Sequence, residues 1–236
     1  MNRSIAILFV VMAAAGAVAG QTKARPKAPA KPVVRTTAKS SSKAAVSSAD
    51  RGTVSGRTYT NTNFGFDITF PDTWLIPDDD FEQVMKAQGF DLSLKAPDSL
   101  TPAGKASLNA ALKKVSVLLT AYRSMPGTAN NAIMRVSVED LAGNPQIKDA
   151  VDYFDAMRAS FKILKLPADF HYSETQAEQL GTMQFAYLDA DSNAGKKRMY
   201  ATVRKGHAIL FTLSYTSADD LAAMRRVLEE GNFHLK

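Results

Sequence analysis

Phe64-Gly65-Phe66-Asp67-Ile68-Thr69-Phe70-Pro71-Asp72-Thr73-Trp74 is the stretch from which the fold can be read. Side chains in a strand alternate between two faces, so Phe64, Phe66, Ile68 and Phe70 fall on one side and the small or polar residues on the other. Four large apolar residues on one face demand a covered sheet. Pro71 cannot continue a ladder and ends the strand, with Asp72 beside it. Trp74 follows directly. A large aromatic in that place predicts a core or lid residue over one end of the sheet. Its functional alternative is one wall of a ligand or partner groove, which makes Trp74 the candidate site residue.

Further along the chain, the pattern keeps switching period. Asp78 to Asp80 precede a helical stretch, Phe81 to Ala87, with acids suited to a helix N-terminus. A second helix is predicted from Pro102, with Leu108, Ala111, Leu112 and Val115 on one face. Strands follow at Val115 to Tyr122 and Ala132 to Glu139, where Met134, Val136 and Val138 alternate with Arg135, Ser137 and Glu139. Asp149 opens an amphipathic helix with Ala150, Val151, Phe154, Met157, Phe161 and Leu164 at spacings of three and four, bounded by Pro167. Met183 to Asp189, Arg198 to Arg204 and His207 to Tyr215 read as a meander. Ser192-Asn193-Ala194-Gly195 and Lys205-Gly206 are its turns. Ser217 caps a last helix with Leu221, Met224, Val227 and Leu228 inward. Gly231 ends it, and Phe233 and Leu235 can form a short final strand. Hairpins rather than repeated βαβ units predict an α+β fold, an antiparallel sheet of about six to seven strands with helices packed on its faces.

Toward the N-terminus, the chain changes character. Arg3 precedes about 14 uncharged residues, Ile5 to Val18, too short for the ~30 Å hydrocarbon core. Ala17-Val18-Ala19 is the small-x-small pattern of a cleavage site, so residues 1–19 are expected to be a secretory signal peptide cut near Ala19. No transmembrane segment is expected once it is removed. Residues 20–56 are rich in Ala, Lys, Pro, Ser and Thr, with no apolar period. They are expected to be a disordered basic linker, leaving 57–236 as a single domain.

The charge has to be divided accordingly. The chain has 29 Lys and Arg against 23 Asp and Glu, a net of +6. Nine of the basic residues and one acid lie before Arg57, which leaves 20 basic and 22 acidic residues, a net of −2, in the domain. The basicity belongs to the linker. A nucleic-acid partner for the domain loses its support, while an anionic envelope polymer or lipid remains a candidate partner for the tail.

Nothing in the chain spells out catalysis, and an unrecognised hydrolase is the lesser alternative to a binding role. There is no Cys, so disulfides, thiolate metal sites and Cys nucleophiles are excluded. His171, His207 and His234 stand far apart, with no paired metal-ligand spacing. No Gly-x-Ser-x-Gly elbow or phosphate loop occurs, and Gly104-Lys105 lacks the spacing for one. Asp189, Asp191 and Asn193 mimic positions 1, 3 and 5 of a calcium loop. Ala194 and Tyr200 then stand where Gly and Glu belong, and a polar hairpin turn is the favoured reading. Neither a metal nor a cofactor is expected.

Tyr59-Thr60-Asn61, Gly65-Phe66 and Pro71-Asp72-Thr73-Trp74 together resemble the opening of PsbP-like domains. In that superfamily a Tyr-x-Asn strand leads to Gly-Phe, an alternating strand and Pro-x-x-Trp. Tyr215, Ser217-Ala218-Asp219-Asp220 and Asn232-Phe233 are similar to its close. The resemblance brackets residues 57–236, although Asp91 to Pro126 matches no pattern. It implies a non-enzymatic accessory or protein-interaction module, since members include a photosystem subunit and a nuclear small-GTPase partner. For an exported chain the implied partner is an envelope or periplasmic protein.

Overall fold

The structure is a computed structural model that describes residues 51–77, 80–90, 92, 101–163, 166, 168–193 and 195–234. The expected signal peptide and all of the expected linker up to residue 50 lie outside these, as do Asp78, Asp79, Leu164, Pro167, Ala194 and Leu235. Among the described residues eleven strands and four helices follow one another as β1 (Thr53–Ser55), β2 (Thr58–Asn61), β3 (Phe66–Thr69), α1 (Phe81–Ala87), α2 (Pro102–Leu112), β4 (Val115–Tyr122), β5 (Ile133–Asp140), α3 (Ala150–Ile163), β6 (His171–Tyr172), β7 (Gln176–Leu180), β8 (Met183–Ser192), β9 (Gly195–Arg204), β10 (His207–Tyr215), α4 (Ala218–Glu229) and β11 (Asn232–Phe233).

The fold is α+β, and its strands form two antiparallel sheets. The larger has seven strands in the order β4-β5-β10-β9-β8-β6, with β7 also paired to β8. The smaller runs β1-β2-β3-β11. The sequence pattern predicts only one sheet because β1 and β11 are three and two residues long, too short to show a period.

The central strands of the large sheet are covered on both faces. On β10, Ile209, Phe211 and Leu213 join one cluster with Phe66, Ile68, Phe233 and the α4 residues Met224, Val227 and Leu228. The alternate residues Ala208 and Leu210 join a second, with Leu108 of α2 and Tyr153, Phe154, Met157 and Phe161 of α3. The domain is therefore three layers deep. The small sheet and α4 lie on one side of the central sheet, and α2 and α3 on the other. Caps fall where the side chains place them: Thr101 accepts from the Gly104 amide and Ser217 from that of Asp220.

The two edges of the central sheet are irregular. The ladder from β4 to β5 shifts register between Val117 and Leu119. On the opposite side β7 and β6 share β8, pairing with Met183–Tyr187 and Ala190–Asp191 in turn.

One boundary is corrected. Thr53–Ser55, assigned to the linker, pairs with Thr58–Thr60, and the buried Tyr59 hydroxyl donates to the carbonyl of Arg51 at 2.7 Å. Burial pushes that hydroxyl up to about 12, so it stays a proton donor that needs an acceptor. A chain that starts at Arg57 should be less stable than one that starts at Arg51 by about 1–3 kcal/mol, the cost of a buried donor left unmade. Urea midpoints of the two chains would show it, and equal midpoints would return Arg51–Gly56 to the linker.

Candidate functional site

The loop from β2 to β3 is built around Asn61, which is fully buried. Its Oδ1 accepts from the Phe64 amide at 2.9 Å and its Nδ2 donates to the Tyr59 hydroxyl at 3.0 Å. The Tyr59-x-Asn61 pair thus sets the turn that carries Thr62, Asn63 and Gly65. Gly65 has φ +69, and a Cβ there would stand 3.1 Å from the carbonyl oxygen of His234. Only glycine fits both conditions.

Facing this loop is the turn from β9 to β10. Lys205 and Gly206 have φ of 49 and 73, the pair of left-handed residues that a two-residue hairpin turn needs. Between the two loops and His234 lies a groove of about 690 Å³, floored by Phe64, Phe66 and Val203 and rimmed by Thr60, Thr62, Arg204 and Lys205. Arg204 Nη1 donates to the carbonyls of Phe64 at 3.0 Å and His234 at 3.0 Å. Lys205 Nζ donates to that of Asn63. Both cations meet carbonyl oxygens and, among the described residues, neither meets a carboxylate, unlike Arg198 at the opposite end. There Arg198 grips Asp189 through two bonds of 2.7 Å and lies over the Tyr187 ring. Burial alone shifts the Arg204 guanidinium, downward. A groove with two cations lacking acid partners is suited to receive carboxylates.

Trp74 is placed elsewhere. It is 4% exposed, packs on Phe70 with ring centroids 6.1 Å apart, and lines none of the groove. Arg57 ties the carbonyls of Pro71 and Trp74 together, which explains Pro-x-x-Trp as a packing unit. The three histidines do not converge. His171 is exposed on β6, His207 packs on the Phe64 ring at 5.5 Å, and His234 lies 3.4 Å from Asp67. Among the described residues no group of three or more His, Asp or Glu stands ready to hold a metal. The Asp189 to Gly195 stretch is the hairpin of β8 and β9, with Ser192 opposite Gly195.

A second feature had no signal in the sequence beyond composition. The polar side of β5 is buried rather than exposed: Arg135 is 7% exposed, and Ser137 and Glu139 are wholly covered. Thr212 on β10 and Lys197 on β9 share that face and that burial. Glu139 accepts a hydrogen bond from the Tyr153 hydroxyl of α3 at 3.0 Å. Burial, more than any neighbour, raises its carboxyl to about 7.

No family model matches the chain, and no curated protein does. Among solved structures it is similar to cyanobacterial PsbP from Synechocystis sp. PCC 6803, at 13% identity and a TM-score of 0.42, over 78% of this chain and 98% of that one. A crystal structure from Bacteroides thetaiotaomicron VPI-5482 is similar at 10% identity and a TM-score of 0.36. The match covers 77% of this chain and 49% of that one, so the chain spans about half its length. The likeness is one of fold. No helix among the described residues is long and apolar enough to cross a membrane.

Proposed function

We propose that this is an exported, non-enzymatic accessory module that docks an acidic segment of an envelope protein in the groove between the β2–β3 loop and the β9–β10 turn. One observation carries the reading. Lys205 holds a left-handed backbone position that Asn or Gly fills at lower cost, and its ammonium lies on the groove without a carboxylate partner. Strain kept at a surface position points to a use for the side chain that occupies it. The balance of −2 over residues 57–236 makes the local excess of positive charge stand out. The basic tail is repelled by such a groove, so an acidic segment of another protein is the fitting occupant. Export rests on the sequence of residues 1–19.

The test separates folding from binding. Lys205→Asn should stabilise the domain by about 0.5–1 kcal/mol, because Asn tolerates the left-handed region. The same change should weaken capture of an acidic partner about fivefold, the effect of one rim charge. Baits would be the full chain, the chain from Arg51, and the latter with Lys205→Asn or Lys205→Glu, each challenged with native envelope extract. The reading expects one protein held by both unsubstituted baits and lost with Lys205→Glu. Capture that ignores Lys205 would remove the groove as the docking site. Capture by the tailed chain only, stripped by roughly 0.5 M salt, would transfer the function to the tail.

A further inference from the structure

The face of the central sheet under α2 and α3 is apolar over most of its area: Met199, Ala201, Ala208 and Leu210 present only carbon and sulfur to the helices. Along β5 the same face turns polar. Arg135 stands opposite Thr212 on β10, and one step along the ladders Ser214 stands opposite Lys197 on β9. Ser137 follows Arg135 by two residues and so projects to the same side. Four donors from three adjacent strands are thereby gathered on one patch.

Two of them decide what the patch is for. Ser137 Oγ and Thr212 Oγ1 are buried, the residues being 0% and 2% exposed, and among the described residues neither hydroxyl has a hydrogen-bond partner. A buried hydroxyl that served only packing would be replaced without loss by Ala or Val. The cations give the sign of the missing acceptor. Arg135 Nε already reaches Thr120 Oγ1 at 3.3 Å, and the Arg135 charge is felt at Lys197, whose ammonium is pushed down to about 7, by burial first and by Arg135 second. Both cations stand beside the hydroxyls along the ladders, so an acceptor that carries negative charge suits the patch. The one acid of the stripe, Glu139, lies beyond Ser137 and is engaged by Tyr153. The patch reaches solvent at its other end, where Ile133 and Ser214 are only half-buried.

We propose that Ser137, Thr212, Arg135 and Lys197 form an internal site for a small oxyanion, a phosphate or a carboxylate, entered from the Ile133–Ser214 end. The two hydroxyls donate to its oxygens, and the cations balance its charge. This site is distinct from the groove at Arg204 and Lys205, which lies on the opposite side of the central sheet, where Phe64 and Phe66 pack.

The experiment uses the full chain at pH 7, with ionic strength held constant by sodium chloride, and titrates inorganic phosphate in one arm and succinate in the other. Thermal melting and calorimetry are the readouts. One of the two anions is expected to raise the melting temperature saturably, and which one does so identifies the source of the chemistry. The double variant Ser137→Ala, Thr212→Val should bind that anion at least tenfold more weakly while melting no lower than the parent without it. A second measurement needs no variant: the Lys197 ammonium, followed by NMR titration, should move to higher pKa when the anion is added. Failure of both anions to shift the melt overturns the site, as does a double variant that responds like the parent or a Lys197 titration that does not move. In those cases water satisfies the hydroxyls.

Discussion

Glu139→Gln should stabilise this protein at pH 8 by on the order of 3 kcal/mol and leave it unchanged below about pH 4.5. Burial lifts the Glu139 carboxyl from 4.5 to about 7 in the folded chain. Between those values the native state keeps a proton that the unfolded state has released, so stability falls as pH rises through the window and is level above it. Each pH unit contributes about 1.4 kcal/mol, which sets the ceiling near 3. Gln imitates the neutral acid: its carbonyl oxygen still accepts from Tyr153, and its amide replaces an oxygen that has no partner. Lys197 has the opposite dependence. Its ammonium is lowered from 10.5 to about 7, so its contribution rises with pH across that interval. Together the two groups predict a stability minimum near neutrality in phosphate-free buffer. Urea unfolding from pH 4 to 10 would reveal it, and parallel curves for the parent and Glu139→Gln would refute the account of Glu139.

Phe211→Ala should cost about 3–5 kcal/mol, as expected for deleting a buried ring from a core that cannot collapse onto the space. Phe211 is completely buried in the middle of β10. Its ring meets Phe66 edge-on at 5.4 Å, Phe185 at 5.9 Å and Phe233 at 6.0 Å. Phe66 and Phe233 in turn stack at 5.9 Å. These rings belong to β3 and β11 of the small sheet and to β8 and β10 of the large one, so one side chain joins the two sheets. The loss would consume much of the 5–15 kcal/mol typical of a domain. Amide exchange should then show the small sheet opening before the large one. Val151→Ala, on the exposed side of α3, is the control and should change stability by less than about 0.5 kcal/mol. A loss of similar size at both positions would mean that the rings do not couple the sheets.

Strong periods were legible in the sequence. Phe64, Phe66, Ile68 and Phe70 alternate because one face is buried, and all four are buried. Val115–Tyr122 and His207–Tyr215 have the bounds that their apolar runs predict. β6 and β7 escaped because His171-Tyr172 and Gln176–Leu180 are mostly polar and half-exposed, held by pairing with β8 rather than by a buried face. The groove left only faint traces. Tyr59-x-Asn61 and Lys205-Gly206 were visible as a strand and a turn, but nothing local reveals that two loops some 140 residues apart meet. The buried polar stripe was invisible for a further reason. Arg135, Ser137 and Glu139 alternate with apolar residues just as a solvent-facing set does, and only the position of α2 and α3 decides otherwise.

The irregular edges of the central sheet bear on the protein's behaviour at high concentration. A long straight edge is a row of unused amides and carbonyls that a second molecule can extend into a fibre. Here the register shift between Val117 and Leu119 bends β4 away from such a match, and the bridge from Tyr122 to Leu75 occupies its end. The opposite rim is cut in two, so neither β6 nor β7 offers a template longer than five residues. A chain with no cysteine has no crosslink to hold its strands closed. Its protection against intermolecular β-assembly is therefore built into the outline of the sheet itself.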